Sequence, residues 1–219
     1  MAGLPYAVRL AGYGIRAPKT PVPGREVARR VEAVGAEVTT LAVDDEVFGI
    51  AEGSFAEYAR ARADKLAPKP SNLTYAQAAA VPVSGLTALQ AVRDRGHVQA
   101  GQQVLVIGAS GGVGTFAVQI AKAYGADVTG VCSTAKADVV KTIGADRIID
   151  YTREGIADGG RRYDVILDTG GNRPLRQLRR ALTPAGRWSS SAARQTAAGS
   201  AGATVSSGPS CSPRSPAST

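Results

Sequence analysis

Cysteine and histidine are scarce in this chain. Its 219 residues include two cysteines, Cys132 and Cys211, and one histidine, His97. Because protein zinc sites use three or four nitrogen or sulfur ligands, residues so few and so far apart predict no metal site. They provide no disulfide framework either, which is typical of a reducing compartment, and we expect a cytoplasmic protein. His97 falls in a predicted loop, where we expect a lone histidine to be solvated.

Long apolar runs and clustered charges are also lacking. No window is apolar enough to predict a membrane-spanning segment, and residues 1–6 lack the charged and apolar regions of a signal peptide. The net charge is +8, but the arginines and lysines are scattered and have few aromatic neighbours. This distribution favours a solvated basic surface over a nucleic-acid-binding patch. We therefore expect a small-molecule substrate, and neither nucleic acid nor a membrane as a partner.

What the chain does contain is a buried strand, a glycine-rich turn and a helix in direct succession. After an apolar strand, residues 108–114 read Gly-Ala-Ser-Gly-Gly-Val-Gly, and residues 115–125 are apolar at helical spacing up to a closing glycine. Small side chains allow backbone amides to close on a pyrophosphate, which then faces the positive end of the helix. Ala109, Gly111 and Gly114 take the three glycine positions of a dinucleotide-binding fingerprint, so we predict a dinucleotide site.

The segment before this turn has a different pattern. Short extended stretches predict a small barrel-like β domain. Its strands are predicted at 27–34, 44–50 and 53–59. Residues 65–70 are predicted to be a proline-stiffened connection. Two helices follow, one capped by Ser71 or Asn72 and ended by Pro82, and one over residues 84–92.

After the turn, strands and helices alternate. Strands are predicted at 104–107, 127–132, 147–151 and 163–168. Helices are predicted at 115–124, 137–143 and 172–182. Alternation with connections this short indicates an α/β fold with a parallel, doubly wound sheet.

Several motifs stand in register along the chain. They lie at 23–28, 49–58, 79–88, 108–114 and 143–151. Together they resemble the medium-chain dehydrogenase/reductase superfamily, in its zinc-independent quinone oxidoreductase branch. The resemblance implies a partial GroES-like β-barrel catalytic domain at residues 1–80 and an incomplete Rossmann NAD(P)-binding domain at 81–188. It also allows a homodimer.

The activity implied by this resemblance is NADPH-dependent transfer of a hydride to a quinone or another conjugated carbonyl, such as an enone or aldehyde. Zinc-dependent members hold their metal with a cysteine and a Gly-His-Glu triplet, whereas the matching triplet here is Gly24-Arg25-Glu26. Arginine does not ligate zinc, so we expect zinc-independent chemistry. No residue stands out as a general acid, and the catalytic residues stay unknown.

The residues after strand 127–132 favour NADPH over NADH. No acid occurs there before Asp138, whereas an acid at this place would hold the ribose hydroxyls of NADH. Ser133 and Thr134 are able to donate to a phosphate, and the phosphate-binding lysine of the family falls on Lys136. The other interpretation of Lys136 is an exposed lysine at a helix start.

Further candidates for the cofactor site come from three other places. Tyr151 matches a family position that touches the cofactor phosphates, and Thr87 matches one near the nicotinamide; otherwise they are a packing residue and an ordinary helix residue. Thr169 and Gly170 follow a strand at its carboxyl end, where ligands bind, or form only a tight turn. The full set of predicted cofactor-binding residues is Thr87, Gly108, Ala109, Ser110, Gly111, Gly112, Val113, Gly114, Ser133, Thr134, Lys136, Tyr151, Thr169 and Gly170.

Both ends of the chain depart from the resemblance. Family members begin with further barrel strands, so we expect Met1 to be an internal methionine of a longer gene. Residues 189–219 are almost all small or polar, a composition that does not bury a core. We expect either a disordered tail there or an out-of-frame reading that starts near Trp188. The missing barrel parts leave an alternative function open, an NADPH-binding module without turnover.

Overall fold

The computed structural model describes residues 22–171 and 173–190. They contain one antiparallel and one parallel sheet. Residues 1–21 and most of the predicted tail at 189–219 lie outside the described residues.

The first sheet is antiparallel and lies in the predicted β domain. Its strands are β1 (Glu26–Arg30), β2 (Glu46–Ile50) and β3 (Leu66–Pro68), with β2 in the centre. A Cβ on Gly49 of β2 would overlap the carbonyl oxygen of Lys65. The sheet therefore requires glycine at this position, where the chain leading into β3 comes close.

Two predictions for this sheet are wrong. Residues 53–59 form no strand, because the amide of Phe55 bonds to the carbonyl of Pro23 (2.9 Å), in the loop before β1. The third strand lies instead in the predicted connection at 65–70. Pro68 is tolerated there because it ends an edge strand, where a missing N–H interrupts no ladder.

Short helical segments lead from the first sheet to the second. They are α1 (Tyr75–Ala79), α2 (Pro82–Leu89) and a π-helical turn (Gln90–Arg95). The cap of α1 is Thr74 rather than Ser71 or Asn72. Thr74 and Gln77 form a reciprocal capping box, in which each side chain accepts from the backbone amide of the other. Pro82 begins α2 instead of ending α1, because a proline at the first helical position forfeits no hydrogen bond.

The second sheet is parallel and carries helices on both faces. Its strands are β4 (Gln103–Ile107), β5 (Asp127–Cys132), β6 (Arg147–Asp150), β7 (Tyr163–Asp168) and β8 (Leu182–Ser190). The helices are α3 (Gly112–Ala123), α4 (Ala137–Thr142) and α5 (Leu175–Ala181). The strand order β6-β5-β4-β7-β8 confirms the predicted Rossmann-type doubly wound sheet. The order reverses next to β4, which opens a crevice at the carboxyl ends of the strands.

The core has two layers, one on each face of this sheet. Val104 and Val106 of β4 pack with Val118 of α3, whereas Leu105 packs on the opposite face with Leu178 of α5. All five side chains are at most 1% exposed. Neighbouring residues of a strand point to opposite faces, so the uninterrupted apolar run of β4 serves both layers.

The last strand, β8, was not predicted, and it overlaps the end of the predicted helix and the start of the predicted tail. The helix expected over 172–182 ends at Ala181, and Pro184 lies within the irregular start of β8. The strand runs on to Ser190, which pairs with Asp168 of β7. The sheet thus continues past the expected boundary at residue 188, because backbone pairing on an edge strand does not require apolar side chains.

Truncating the central strand should test the two-layer core. We expect Leu105→Ala to lower the free energy of unfolding by about 2–5 kcal/mol, because a fully buried leucine leaves a cavity when it is shortened. Urea unfolding followed by circular dichroism measures this change. Leu86→Ala is the matched control, since Leu86 is 51% exposed and its loss should change the value by less than about 1 kcal/mol. Equal effects of the two variants would contradict the assignment.

Candidate functional site

A cavity of about 470 Å³ opens at the carboxyl ends of the central strands of the parallel sheet. Ligands of open parallel sheets bind at this edge, where the strand order reverses. The lining comes from the ends of β4, β5 and β6, the loop after β7, and the start of α5. The lining residues are Ile107, Gly108, Ser110, Val131, Cys132, Tyr151, Gly170, Arg173, Pro174 and Gln177.

The glycine-rich turn follows β4 directly and forms one wall of the cavity. Gly108 has φ +77°, a left-handed conformation that favours glycine. The amide of Gly111 donates to the carbonyl of Gly108 (2.9 Å) and closes the turn. A Cβ on Gly114 would overlap the Gly108 oxygen and lie 2.8 Å from the Cα of Ala109. The helix therefore begins in direct contact with the end of the strand, as the fingerprint predicts.

Ala109 belongs to the core rather than to the cavity lining. It is fully buried, and its amide donates to the carbonyl of Val131 (3.0 Å). Beside it on β5 is Gly130, where a Cβ would lie 3.1 Å from the Cβ of Ala109 and 2.6 Å from a methyl of Val140. Gly130 thus leaves the space that the Ala109 methyl fills. Gly130 was not among the predicted residues, although a glycine inside a strand is a signal of close approach.

The start of α3 is open to the solvent side of the turn. Its N-cap is Gly111, which has no side chain to cap the helix. The first intrahelical bond runs from the Thr115 amide to the Gly111 carbonyl (2.9 Å), so the amides of Gly112, Val113 and Gly114 precede the helical ladder. Free amides and the positive end of the helix dipole together suit an anion.

The loop after β7 braces the same turn. Thr169 donates its hydroxyl proton to the carbonyl of Ile107 (2.8 Å), which leaves this hydroxyl only lone pairs to offer a ligand. The buried carboxylate of Asp168 accepts from the amides of Gly170 (3.0 Å) and Gly171 (2.8 Å). The structure thus assigns Thr169 a structural contact, and the predicted Gly170 lines the cavity with its amide already engaged.

An acid that sequence analysis missed lies beside the end of β5. Thr134 donates its hydroxyl proton to Asp150, the last residue of β6, and Asp150 also accepts from the hydroxyl (2.7 Å) and amide (3.0 Å) of Thr152. These hydrogen bonds, first that from Thr134, lower the pKa of Asp150 to about 2. In this arrangement Asp150 engages the hydroxyl proton that Thr134 was predicted to donate to a phosphate. Strand pairing brings the acid there from the neighbouring strand, which no local pattern reveals.

The other predicted residues at this edge of the sheet differ in whether they line the cavity. Tyr151 lines the cavity and is 53% exposed. Lys136 ends a short 3-10 turn, is exposed, and takes part in none of the ion pairs found within the described residues. The carbonyl of Ser133, which is half-buried, accepts from the amide of Lys136 (2.9 Å). Neither Ser133 nor Lys136 is among the lining residues, but both adjoin the wall formed by Cys132.

Helix α2 connects the antiparallel sheet with the glycine turn. The carboxylate of Glu26 on β1 accepts from the amide of Val83 (2.9 Å), in the first turn of α2. One residue later, the Ser84 hydroxyl lies where a Cβ on Gly112 would come within 3.0 Å. Thr87 donates to the carbonyl of Val83 (2.7 Å) and is not among the lining residues. This contact of Glu26 was not predicted, because only the fold brings β1 to this helix.

Three residues from the region after β7 complete the cavity without having been predicted. Arg173 is half-buried, Pro174 caps α5, and Gln177 lies in its first turn. The sequence signal for them is weak, because they belong to neither a strand end nor a glycine motif. Their place follows from the short loop that leads β7 back to α5.

Neither a cluster of metal ligands nor a membrane-spanning helix occurs in the described ranges. Among residues 22–171 and 173–190, no three His, Cys, Asp or Glu side chains group closely enough to hold a metal ion. Over the described part of the chain, no helix combines the length and apolar character needed to cross a bilayer. His97 lies exposed in the loop before β4 with φ +44°, and Cys132 is buried, which raises the pKa of its thiol.

The chain is similar to several known oxidoreductases. The profile of the zinc-binding dehydrogenase family matches residues 112–207. A 2-methylene-furan-3-one reductase from Solanum lycopersicum is 40% identical over 166 residues, covering 70% of this chain and 42% of that protein. A chloroplastic NADPH-dependent alkenal/one oxidoreductase from Arabidopsis thaliana is 40% identical over 163 residues, covering 69% and 42%. The chain thus spans 42% of the length of these two relatives.

A solved structure shows the same architecture. The quinone oxidoreductase from Coxiella burnetii superposes with a TM-score of 0.72 at 30% sequence identity. The match covers 86% of this chain and 61% of that one. It therefore extends over both sheets described above rather than over the glycine turn alone.

Filling the space beside Ala109 should damage the turn. We expect Gly130→Ala to lower the free energy of unfolding by about 1–3 kcal/mol, because the new Cβ would meet Val140 at 2.6 Å and Ala109 at 3.1 Å. Chemical denaturation measures the loss. Gly159→Ala is the control, since a Cβ there meets nothing within 4 Å. A Gly130→Ala variant as stable as the control would show that the two strands do not depend on this gap.

The acid beside Thr134 should leave a signature in the pH dependence of stability. The folded pKa of Asp150, about 2, lies below its ordinary value of 3.8. Its contribution is therefore fully present above 3.8 and is lost as the pH falls towards 2. We expect Asp150→Asn to lose less stability than the unmodified chain over this interval, as measured by urea unfolding at stepped pH. Glu57→Gln, at an exposed site, should follow the unmodified chain; parallel curves for all three would refute the assignment.

Proposed function

Since the chain belongs to the medium-chain dehydrogenase/reductase superfamily, we propose that it binds NADPH and serves hydride transfer to a quinone or another conjugated carbonyl. The observation that carries this proposal is the open glycine turn beside a cavity at the carboxyl edge of the sheet. When bound, NADPH would supply the hydride itself. The protein then has to hold the cofactor, orient it and keep water from its reactive end.

The turn fits the pyrophosphate of a dinucleotide. Three helix-start amides have no carbonyl partner within the helix, and Gly111 and Gly112 carry no side chain in front of them. Gly114 seats the helix against the Gly108 carbonyl. Adding side chains at these glycines would close the approach to the amides.

The end of β5 supports NADPH over NADH. Lys136 is exposed and makes no ion pair within the described ranges, so its ammonium is available for the 2′-phosphate of NADPH. Asp150 is the acid that would otherwise favour the ribose hydroxyls of NADH. Its two oxygens are already engaged by Thr134 and Thr152. The name of the Arabidopsis thaliana relative also states dependence on NADPH.

The acceptor is proposed from the relatives and from the side chains available. The names of the relatives point to a furanone, an alkenal or enone, and a quinone, which are all conjugated carbonyl compounds. Arg25 stands where zinc-dependent members have histidine, and the described residues supply no cluster of metal ligands. This donor set does not fit a catalytic zinc. A conjugated acceptor suits such a site, because it needs less electrophilic assistance than a simple ketone.

A second candidate is an NADPH-binding module without turnover. It is favoured by the segment between β2 and β3, where Phe55 and Tyr58 are 77% and 69% exposed. Within the described ranges, these side chains are not enclosed in a substrate chamber. Fluorescence of bound NADPH, measured beside NADPH oxidation with a simple quinone, separates the two: binding with turnover supports the reductase, and binding without turnover supports the module.

Removing the free lysine should test the cofactor preference. We expect Lys136→Ala to raise the dissociation constant for NADPH roughly tenfold and to leave that for NADH unchanged, because only NADPH carries the extra phosphate. Isothermal titration with both dinucleotides measures the two constants. Lys141→Ala, also exposed, is the matched control. Equal weakening of both dinucleotides, or of neither, would contradict the role of Lys136.

A further inference from the structure

One cationic side chain lines the cavity. The roles proposed above for the glycine turn and for Lys136 do not account for it. Of the described lining residues, Arg173 alone is charged. It is half-buried, and the ion pairs found within residues 22–171 and 173–190 do not include it. Burial of an unpaired charge is unfavourable. A half-buried arginine without an acidic partner is therefore not explained by the stability of the fold.

The residues directly after β7, up to Gly171, are held against the glycine turn. Asp168 accepts from two of their amides, and Thr169 donates to the end of β4. A Cβ on Gly108 would lie 2.6 Å from the Thr169 hydroxyl and 3.5 Å from the Gly170 amide. Further along the chain, Arg173 is followed by the cap of α5, whose Leu178 is buried in the core. Arg173 thus directly precedes the cap of a helix that packs in the core, and it shares the cavity lining with Tyr151.

The charge balance of the cavity identifies the group that Arg173 would meet. A dinucleotide pyrophosphate carries two negative charges, whereas the turn offers amides and the partial positive charge of one helix end, about half an elementary charge. Gly108 and Ser110, the residues of the turn that line the cavity, carry no positive charge. A guanidinium matches a phosphate through two parallel hydrogen bonds.

We propose that Arg173 is the ionic partner of the pyrophosphate group of the bound dinucleotide. The inference rests on the proposed cofactor binding and adds a determinant that NADPH and NADH share, in contrast to Lys136. Arg173 therefore sets the overall affinity for the cofactor, and Lys136 sets the preference between the two forms.

Binding measurements on the full chain test this assignment. We expect Arg173→Gln to raise the dissociation constants for NADPH and NADH by the same factor, roughly tenfold, because both lose one charge-assisted contact. Arg173→Lys should recover part of the loss. The matched control is Arg176→Gln, which removes an exposed arginine of α5 outside the cavity lining and should leave both constants unchanged. Circular dichroism and thermal unfolding of each variant verify that the fold is intact.

The outcomes separate this inference from the function on which it rests. Loss of NADPH affinity alone would place Arg173 at the 2′-phosphate and overturn the inference. Unchanged constants in Arg173→Gln, with the unmodified chain binding NADPH, would overturn it as well and leave the proposed function standing. If the unmodified chain bound neither dinucleotide, the proposed function itself would fail.

Discussion

The close approach between the start of α3 and the end of β4 is the contact on which the rest of the site depends. At Gly114 the helix lies so near the Gly108 carbonyl that a side chain would overlap it. This contact fixes the start of α3 directly after the glycine turn, whose Gly108 and Ser110 line the cavity. It also brings the apolar side of α3 onto the sheet, where Val118 is fully buried. The packing of α3 on the sheet and the position of its first amides therefore depend on the same few backbone atoms.

The neighbouring strands adapt to this contact. Ala109 takes a position that is usually glycine, and β5 accommodates its methyl by having Gly130 beside it. On the other side, β7 ends in Asp168 and Thr169, whose hydrogen bonds tie its loop to the turn. The turn is thus held from both flanks by residues that need not touch a ligand themselves.

The charged side chains near the cavity differ in whether they are engaged by a neighbour. The acid nearest the end of β5, Asp150, is engaged by Thr134 and Thr152, and the pKa of its carboxyl is lowered accordingly. Lys136 and Arg173 form none of the ion pairs of the described residues, and only Arg173 lines the cavity. At the antiparallel sheet, Glu26 bonds to the first turn of α2, whose Ser84 reaches the turn at Gly112. The two sheets are therefore coupled through one short helix.

The sequence by itself determined the parallel sheet, the glycine turn and the helix that follows it, because these depend on local periodicity and on glycines within a few residues. Strands β5 and β7 were predicted with the bounds they have. Only the tertiary structure decided the third antiparallel strand at 66–68, the acid beside Thr134, and Arg173 in the cavity wall. Each of these depends on which distant segments become neighbours. Strand pairing and loop closure decide this, and no local sequence pattern predicts it.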